Sequence, residues 1–167
     1  MQFTFAPITE ADVQAIQSWH YEEPYTVYDI SSDPEDDPSE MLDRRSPYFA
    51  VHDEQETLVG YFGFGTCAQP WNHDEPGLYS DEGILDVGLG MRPDLTGKGL
   101  GLSFVNAGLG FAKEQFAPTT FRLYVLTFNN RAIRVYEHAG FEHVRTFAQK
   151  NLHGTNEFLE MRRTVYK

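Results

Sequence analysis

Cys67 is the only cysteine in 167 residues, so the chain has no internal disulfide and no cysteine-rich zinc site. Basic residues are also scarce: 13 Lys and Arg stand against 25 Asp and Glu, a formal charge of −12. Nucleic acids are gripped through their phosphates by a basic surface, and this balance excludes a general nucleic-acid binder. No stretch approaches the roughly 18 consecutive apolar residues of a membrane span. Met1-Gln2-Phe3-Thr4 lacks the charged start of a secretory signal. The histidines at 20, 52, 73, 138, 143 and 153 are scattered without ligand spacing, so no metal is expected. Against these absences stand 41% hydrophobic and 14% aromatic residues, enough for a packed core and too many for a disordered chain. The expectation is one domain over residues 1–167, soluble and cytoplasmic, with no membrane or nucleic-acid partner.

The charge is uneven along the chain. Residues 1–91 hold 2 basic and 19 acidic side chains, whereas residues 92–134 hold 6 basic and 2 acidic ones. The acidic part serves solubility and equally suits a cation, while the central segment tolerates an anion.

Gln2-Phe3-Thr4-Phe5 alternates as a first strand ending near Pro7, and Thr9 caps a helix carrying Val13, Ile16 and Trp19. Residues 19–29 form a loop dense in aromatics and acids. Ser32-Asp33 before Pro34 starts a second helix, which Pro38 shortens or bends. Strands are expected at 48–52 and 58–66, a long loop at 67–83 and a strand at 84–91. A helix over about 102–116, a strand at 121–126 and a helix capped by Asn129 or Asn130 and ended by Gly140 come next. Two strands, around 141–149 and 156–165, complete the chain. There is no internal repeat or linker, and the order β-α-α-β-β-β-α-β-α-β-β is that of an α+β domain.

The most informative stretch is Thr96-Gly97-Lys98-Gly99-Leu100-Gly101-Leu102. Glycines at alternate positions let successive N–H groups point inward, and the turn leads straight into a helix N-terminus. That arrangement suits a phosphate or pyrophosphate, and Lys98 adds a positive charge, although three glycines also serve tight geometry alone. No G-x-x-x-x-G-K-[ST] is present, and the glycine spacing is not the G-x-G-x-x-G of a dinucleotide fold.

The chain resembles the GNAT superfamily of acyl-CoA-dependent N-acetyltransferases. The family's R/Q-x-x-G-x-G/A turn is matched from Thr96 to Gly101, with Thr96 in place of the Arg or Gln. A second block matches Asn129, Ala132, Tyr136 and Gly140-Phe141. The resemblance implies a mixed, mostly antiparallel central sheet of about seven strands flanked by about four helices, whose fourth and fifth strands splay apart for acyl-CoA. It further implies acetyl-CoA as acyl donor, with Leu89, Gly90 and Met91 pairing with pantetheine. Gly97, Lys98, Gly99, Leu100, Gly101 and Leu102 would cradle the pyrophosphate, and Asn129 would bond the pantetheine amide region.

The implied reaction is attack of an amine on a thioester. A lysine-like amine with a pKa of about 10.4 is almost wholly protonated at neutral pH, whereas an α-amino group near 7.7–8.0 needs less help. Tyr136 matches the family's proton donor, and Asp86 is the candidate base by analogy with a family Glu on the same strand. Glu82 and a water chain are the alternatives, since the position of another family Glu is Tyr124 here. Trp19, Tyr21, Glu22, Tyr25 and Tyr28 supply aromatic faces and carboxylates that suit a cationic acceptor, with Glu23 and Trp71 nearby in kind. The acceptor is a small amine, a protein N-terminus or a lysine, and the protein is a monomer or homodimer. A non-catalytic acyl-CoA-binding module is the alternative reading.

Overall fold

The computed structural model describes residues 2–28, 42, 47–65, 83–151 and 154–165. The helix expected from Ser32, residues 67–82 of the expected loop, and with them Trp71 and Glu82, lie outside the described residues.

Strand β1 (Thr4–Pro7) is followed by helix α1 (Glu10–Gln17). The Thr9 hydroxyl accepts from the Asp12 N–H at 3.2 Å, and the Asp12 carboxylate accepts from the Thr9 N–H at 3.0 Å. This reciprocal capping box satisfies two N–H groups at the helix start and fixes where it begins. Strands β2 (Tyr48–His52), β3 (Leu58–Phe64) and β4 (Ile84–Met91) follow, then helix α2 (Gly101–Phe116) and strand β5 (Thr120–Leu126). Helix α3 (Asn130–His138) and strands β6 (Glu142–Asn151) and β7 (Gly154–Thr164) complete the described chain.

The strands form one sheet in the order β1-β2-β3-β4-β5-β7-β6. All neighbours are antiparallel except β4 and β5, which run parallel. The mixed, mostly antiparallel seven-stranded sheet expected from the resemblance is therefore present. At the far edge, the register of β6 slips between His143 and Arg145.

Helix α2 buries Phe104, Val105, Gly108, Leu109 and Ala112, a spacing that keeps one helical face on the sheet. Phe62 and Phe64 of β3, Val87 of β4, Leu123 and Val125 of β5, and Leu159 and Met161 of β7 meet that face. Phe62 lies against the α2 backbone at Gly108, where a side chain would collide with its ring. Among the described residues, no helix is long and apolar enough to cross a membrane.

Gly60 of β3 marks a second tight joint between sheet and helix. A Cβ there would lie 2.6 Å from the Gly90 carbonyl oxygen and 2.5 Å from the Phe104 ring. The first neighbour is strand backbone and cannot turn aside. We expect Gly60→Ala to cost about 1–3 kcal/mol, read as a lower urea midpoint with an unchanged denaturant slope.

Candidate active site

β4 and β5 are paired only at Ile84–Thr120, Leu85–Phe121 and Asp86–Arg122, and β4 continues for five residues beyond the last of these rungs. At that rung the Arg122 guanidinium donates to both carboxylate oxygens of Asp86, from Nε at 2.6 Å and from Nη2 at 2.9 Å. Both side chains are buried, 2% and 3% exposed. Farther across the sheet, the buried Glu160 of β7 accepts from Arg162 at 2.7 Å and from Arg145 of β6 at 3.2 Å. The fork between β4 and β5 thus opens from a charged, two-pronged clasp.

Past the fork, the register of β3 and β4 decides where the β4 amides point. The Gly65 N–H donates to the Asp86 carbonyl at 2.9 Å and the Arg92 N–H to the Val59 carbonyl at 2.8 Å. Both belong to the same antiparallel register, in which alternate residues face alternate neighbours. Even-numbered β4 residues therefore bond β3, and Leu89 and Met91 turn their backbone groups toward the gap. The Met91 carbonyl accepts the Tyr21 hydroxyl at 2.6 Å, which ties residue 21 to the end of β4. Gly90 lies opposite Tyr61 in the register, and any Cβ there would run into the Tyr61 ring. The glycine is fixed by packing of its own neighbour, not only by the approach of a ligand.

The gap is a cleft of about 610 Å³. At one end is the glycine turn, with Gly97 at φ +72° and Gly99 at φ +78°, left-handed conformations that side chains resist. Gly101 sits tightly against α3 instead, where a Cβ would stand 3.1 Å from the Val135 side chain. No side chain caps the start of α2, so its first amides are left for an anion. The turn's fit to a diphosphate therefore rests on backbone geometry. Thr96 is engaged internally, its hydroxyl donating to the Pro93 carbonyl at 2.7 Å.

Also in the lining, Asn129 caps α3 by accepting from the Ala132 N–H at 3.1 Å and donates from Nδ2 to the Tyr28 hydroxyl at 3.0 Å. Burial raises the Tyr28 pKa, partly offset by that hydrogen bond. Burial likewise pushes the Tyr61 phenol up to about 12. It pushes Tyr136 above the usual tyrosine range, with Tyr28 and Tyr61 adding to the effect.

Of the residues expected from sequence, Leu89, Gly90, Met91, Gly97, Gly99, Gly101, Leu102, Asn129, Tyr136, Tyr21, Tyr25 and Tyr28 line this one cleft. Asp86, Lys98, Leu100, Trp19 and Glu22 are not among its described lining. Asp86, expected as the base, has both its oxygens engaged by Arg122. Trp19 packs against Val13, Ile16 and the Tyr61 ring, at 6.4 Å between centroids, and Glu22 is exposed. Tyr25 has one face covered by the Arg131 guanidinium, 4.2 Å from the ring centre, so the cation on that face is the protein's own. Sequence reasoning missed Tyr61, Tyr124 and Arg131, which also line the cleft. An aromatic placed across from a strand glycine was the available signal for Tyr61.

The family model for the acetyltransferase (GNAT) domain matches residues 2–142. A mycothiol acetyltransferase of Propionibacterium freudenreichii subsp. shermanii is 34% identical over 96 residues, covering 58% of this chain and 28% of the relative. The Streptomyces avermitilis mycothiol acetyltransferase is 32% identical over 126 residues, covering 65% and 40%. The chain thus spans less than half the length of these relatives. Among solved structures, AAC(6')-Ib in complex with paromomycin and acetyl-CoA superposes with a TM-score of 0.74 at 20% identity, over 98% of this chain and 94% of that one. A spermidine N-acetyltransferase chimera of Vibrio cholerae SpeG and hSSAT gives 0.71 at 17% identity, over 98% and 96%. At such identities the likeness is one of fold.

The clasp makes a prediction about stability. Removing one member of a buried pair strands the other charge, at about 3–5 kcal/mol. Asp86→Leu is expected to lose about that much in urea unfolding, whereas Asp86→Leu combined with Arg122→Met loses less than the single change.

Proposed function

This chain belongs to the GNAT acetyltransferase family, and from that premise we propose that it transfers an acetyl group from acetyl-CoA to a primary amine, by direct attack with both substrates bound. The observation that carries this reading is the forked cleft itself. One strand turns the backbone groups of Leu89 and Met91 into a gap that ends on an uncapped, glycine-rich helix start.

Acetyl-CoA, when bound, supplies an activated thioester. The amides from Gly97 to Leu102 hold its diphosphate, and Leu89 and Met91 offer the backbone edge that an extended pantetheine arm pairs with. The Met91 N–H is the donor for negative charge developing on the carbonyl oxygen. Its carbonyl, held by Tyr21, keeps that end of β4 in place. Asn129 orients the arm if its Nδ2 exchanges Tyr28 for a ligand oxygen.

Tyr136 is the proton-bearing group facing the leaving sulfur. Burial disfavours its phenolate, so it stays protonated through the physiological range. A phenol raised in this way is a weak acid toward a thiolate whose conjugate acid lies near 8.5. Its main contribution is therefore a hydrogen bond to sulfur. The described cleft lining includes no carboxylate, and the acceptor's proton leaves through water. The acceptor is a cationic amine that meets the phenols of Tyr21 and Tyr28. Spermidine and paromomycin, named for the structural neighbours, mark the range of amines to assay.

The direct test is thiol release from acetyl-CoA over a panel of polyamines, amino sugars and peptides. Release above spontaneous hydrolysis is expected for at least one amine. If none raises it while CoA still binds, the protein is an acyl-CoA-binding module.

With an accepted amine in hand, Tyr136→Phe is expected to lower kcat about 10²-fold and to leave CoA affinity within about twofold, by calorimetry. The pH profile follows from the same phenol. Its loss of a proton would cut the rate at the alkaline end, and burial moves that loss above the ordinary value of about 10. After correction for hydrolysis, kcat should therefore rise with the neutral amine fraction and show no alkaline fall up to about pH 10.

A further inference from the structure

We propose that Arg131 is the side-chain ligand of the cofactor's diphosphate, standing in for the family Arg or Gln that Thr96 replaces, and that Tyr25 is the residue that positions it. This rests on the reading of the cleft as an acyl-CoA site.

Thr96 cannot reach a ligand as the family Arg or Gln would: it is short, and its hydroxyl is bonded to the Pro93 carbonyl. The nearby Arg92 is engaged with Asp94, at 2.6 and 3.3 Å, and with the Leu58 carbonyl at 3.1 Å. Arg131 differs from both. It rises from the first turn of α3, lines the cleft, and brings Nη1 to 3.4 Å from the position a Cβ on Gly97 would occupy. Its guanidinium lies over the Tyr25 ring at 4.2 Å. The described arginine ion pairs use Arg92, Arg122, Arg145 and Arg162, not Arg131.

The contact with Tyr25 is what makes the assignment: the Arg131 guanidinium carbon stands 4.2 Å from the ring centre while Nη1 reaches the turn at Gly97. A guanidinium stacked by its face on a phenol keeps all its N–H groups in the plane of its edge. Such an edge bonds phosphate oxygens in a fork while the face stays covered. Tyr25 thus holds the guanidinium beside the turn, and Gly97, without a side chain, leaves room for Nη1 there. Arg131 also places a positive charge beside backbone amides that carry only partial ones.

The test is the affinity of the purified chain for CoA, 3′-dephospho-CoA and pantetheine, by calorimetry or by competition. Arg131→Gln should weaken CoA and 3′-dephospho-CoA alike, by about tenfold or more, and leave pantetheine unchanged, since pantetheine has no diphosphate. Arg131→Lys keeps the charge without the planar fork and should fall between. Tyr25→Phe retains the ring face and should match the wild type, whereas Tyr25→Leu should lose several-fold toward CoA but not toward pantetheine. Equal affinity of wild type and Arg131→Gln for CoA overturns the assignment while leaving the cleft as an acyl-CoA site. A loss that disappears with 3′-dephospho-CoA overturns it in favour of the 3′-phosphate, and an equal loss toward pantetheine overturns it in favour of a purely structural role. If wild type binds no CoA, the reading of the cleft fails and this assignment falls with it.

Discussion

The ion pair between Asp86 and Arg122 is the constraint on which the site depends. Two parallel strands held by three rungs would be expected either to keep pairing along their length or to fray. Here they part at a rung where both oxygens of a buried carboxylate are bonded. A buried pair of this kind adds little stability over apolar residues of the same size, but it is costly to break. Its value is positional: the strands cannot slide without separating two charges from each other in a place with little water. The arginines about Glu160 extend the same arrangement across β7 and β6.

The rest of the cleft follows from that separation. A strand that has lost its neighbour presents unpaired amides, and burying them without a partner is unfavourable. β4 meets this at one point with the Tyr21 hydroxyl on the Met91 carbonyl, and the acyl-CoA proposed for the gap would complete the sheet along the rest. The glycine turn faces the same gap from the helix side. The three tyrosines at 28, 61 and 136 are close enough to influence one another electrostatically. Their burial makes this end of the cleft a place where phenols keep their protons.

The elements were legible in the sequence because each is encoded locally. Alternation marked β1 and β5, Thr9 and Asp12 announced the start of α1, and Asn129 or Asn130 that of α3. The glycine turn could be read as an anion site for the same reason, since conformation and donors lie within six residues. The ion pair of Asp86 was not legible because its partner, Arg122, is 36 positions away, and a carboxylate at a strand start gives no sign of which partner will cover it. Trp19 shows the opposite error: an aromatic in a polar loop suggested ligand contact, yet it completes a small core with α1 and Tyr61. Arg131 was counted as charge without a place, since its place is given by Tyr25, which only the fold brings near.

The slip in register at the outermost strand has a separate consequence. An open sheet invites further strands to join at its margins, and such growth ends in aggregates. β6 meets this risk where its pairing breaks between His143 and Arg145, since an irregular, charged border offers a poor template. At the opposite margin β1 is four residues long and closes on Pro7, which has no hydrogen to donate. The sheet can thus stay open in its middle while both outer borders discourage further strands.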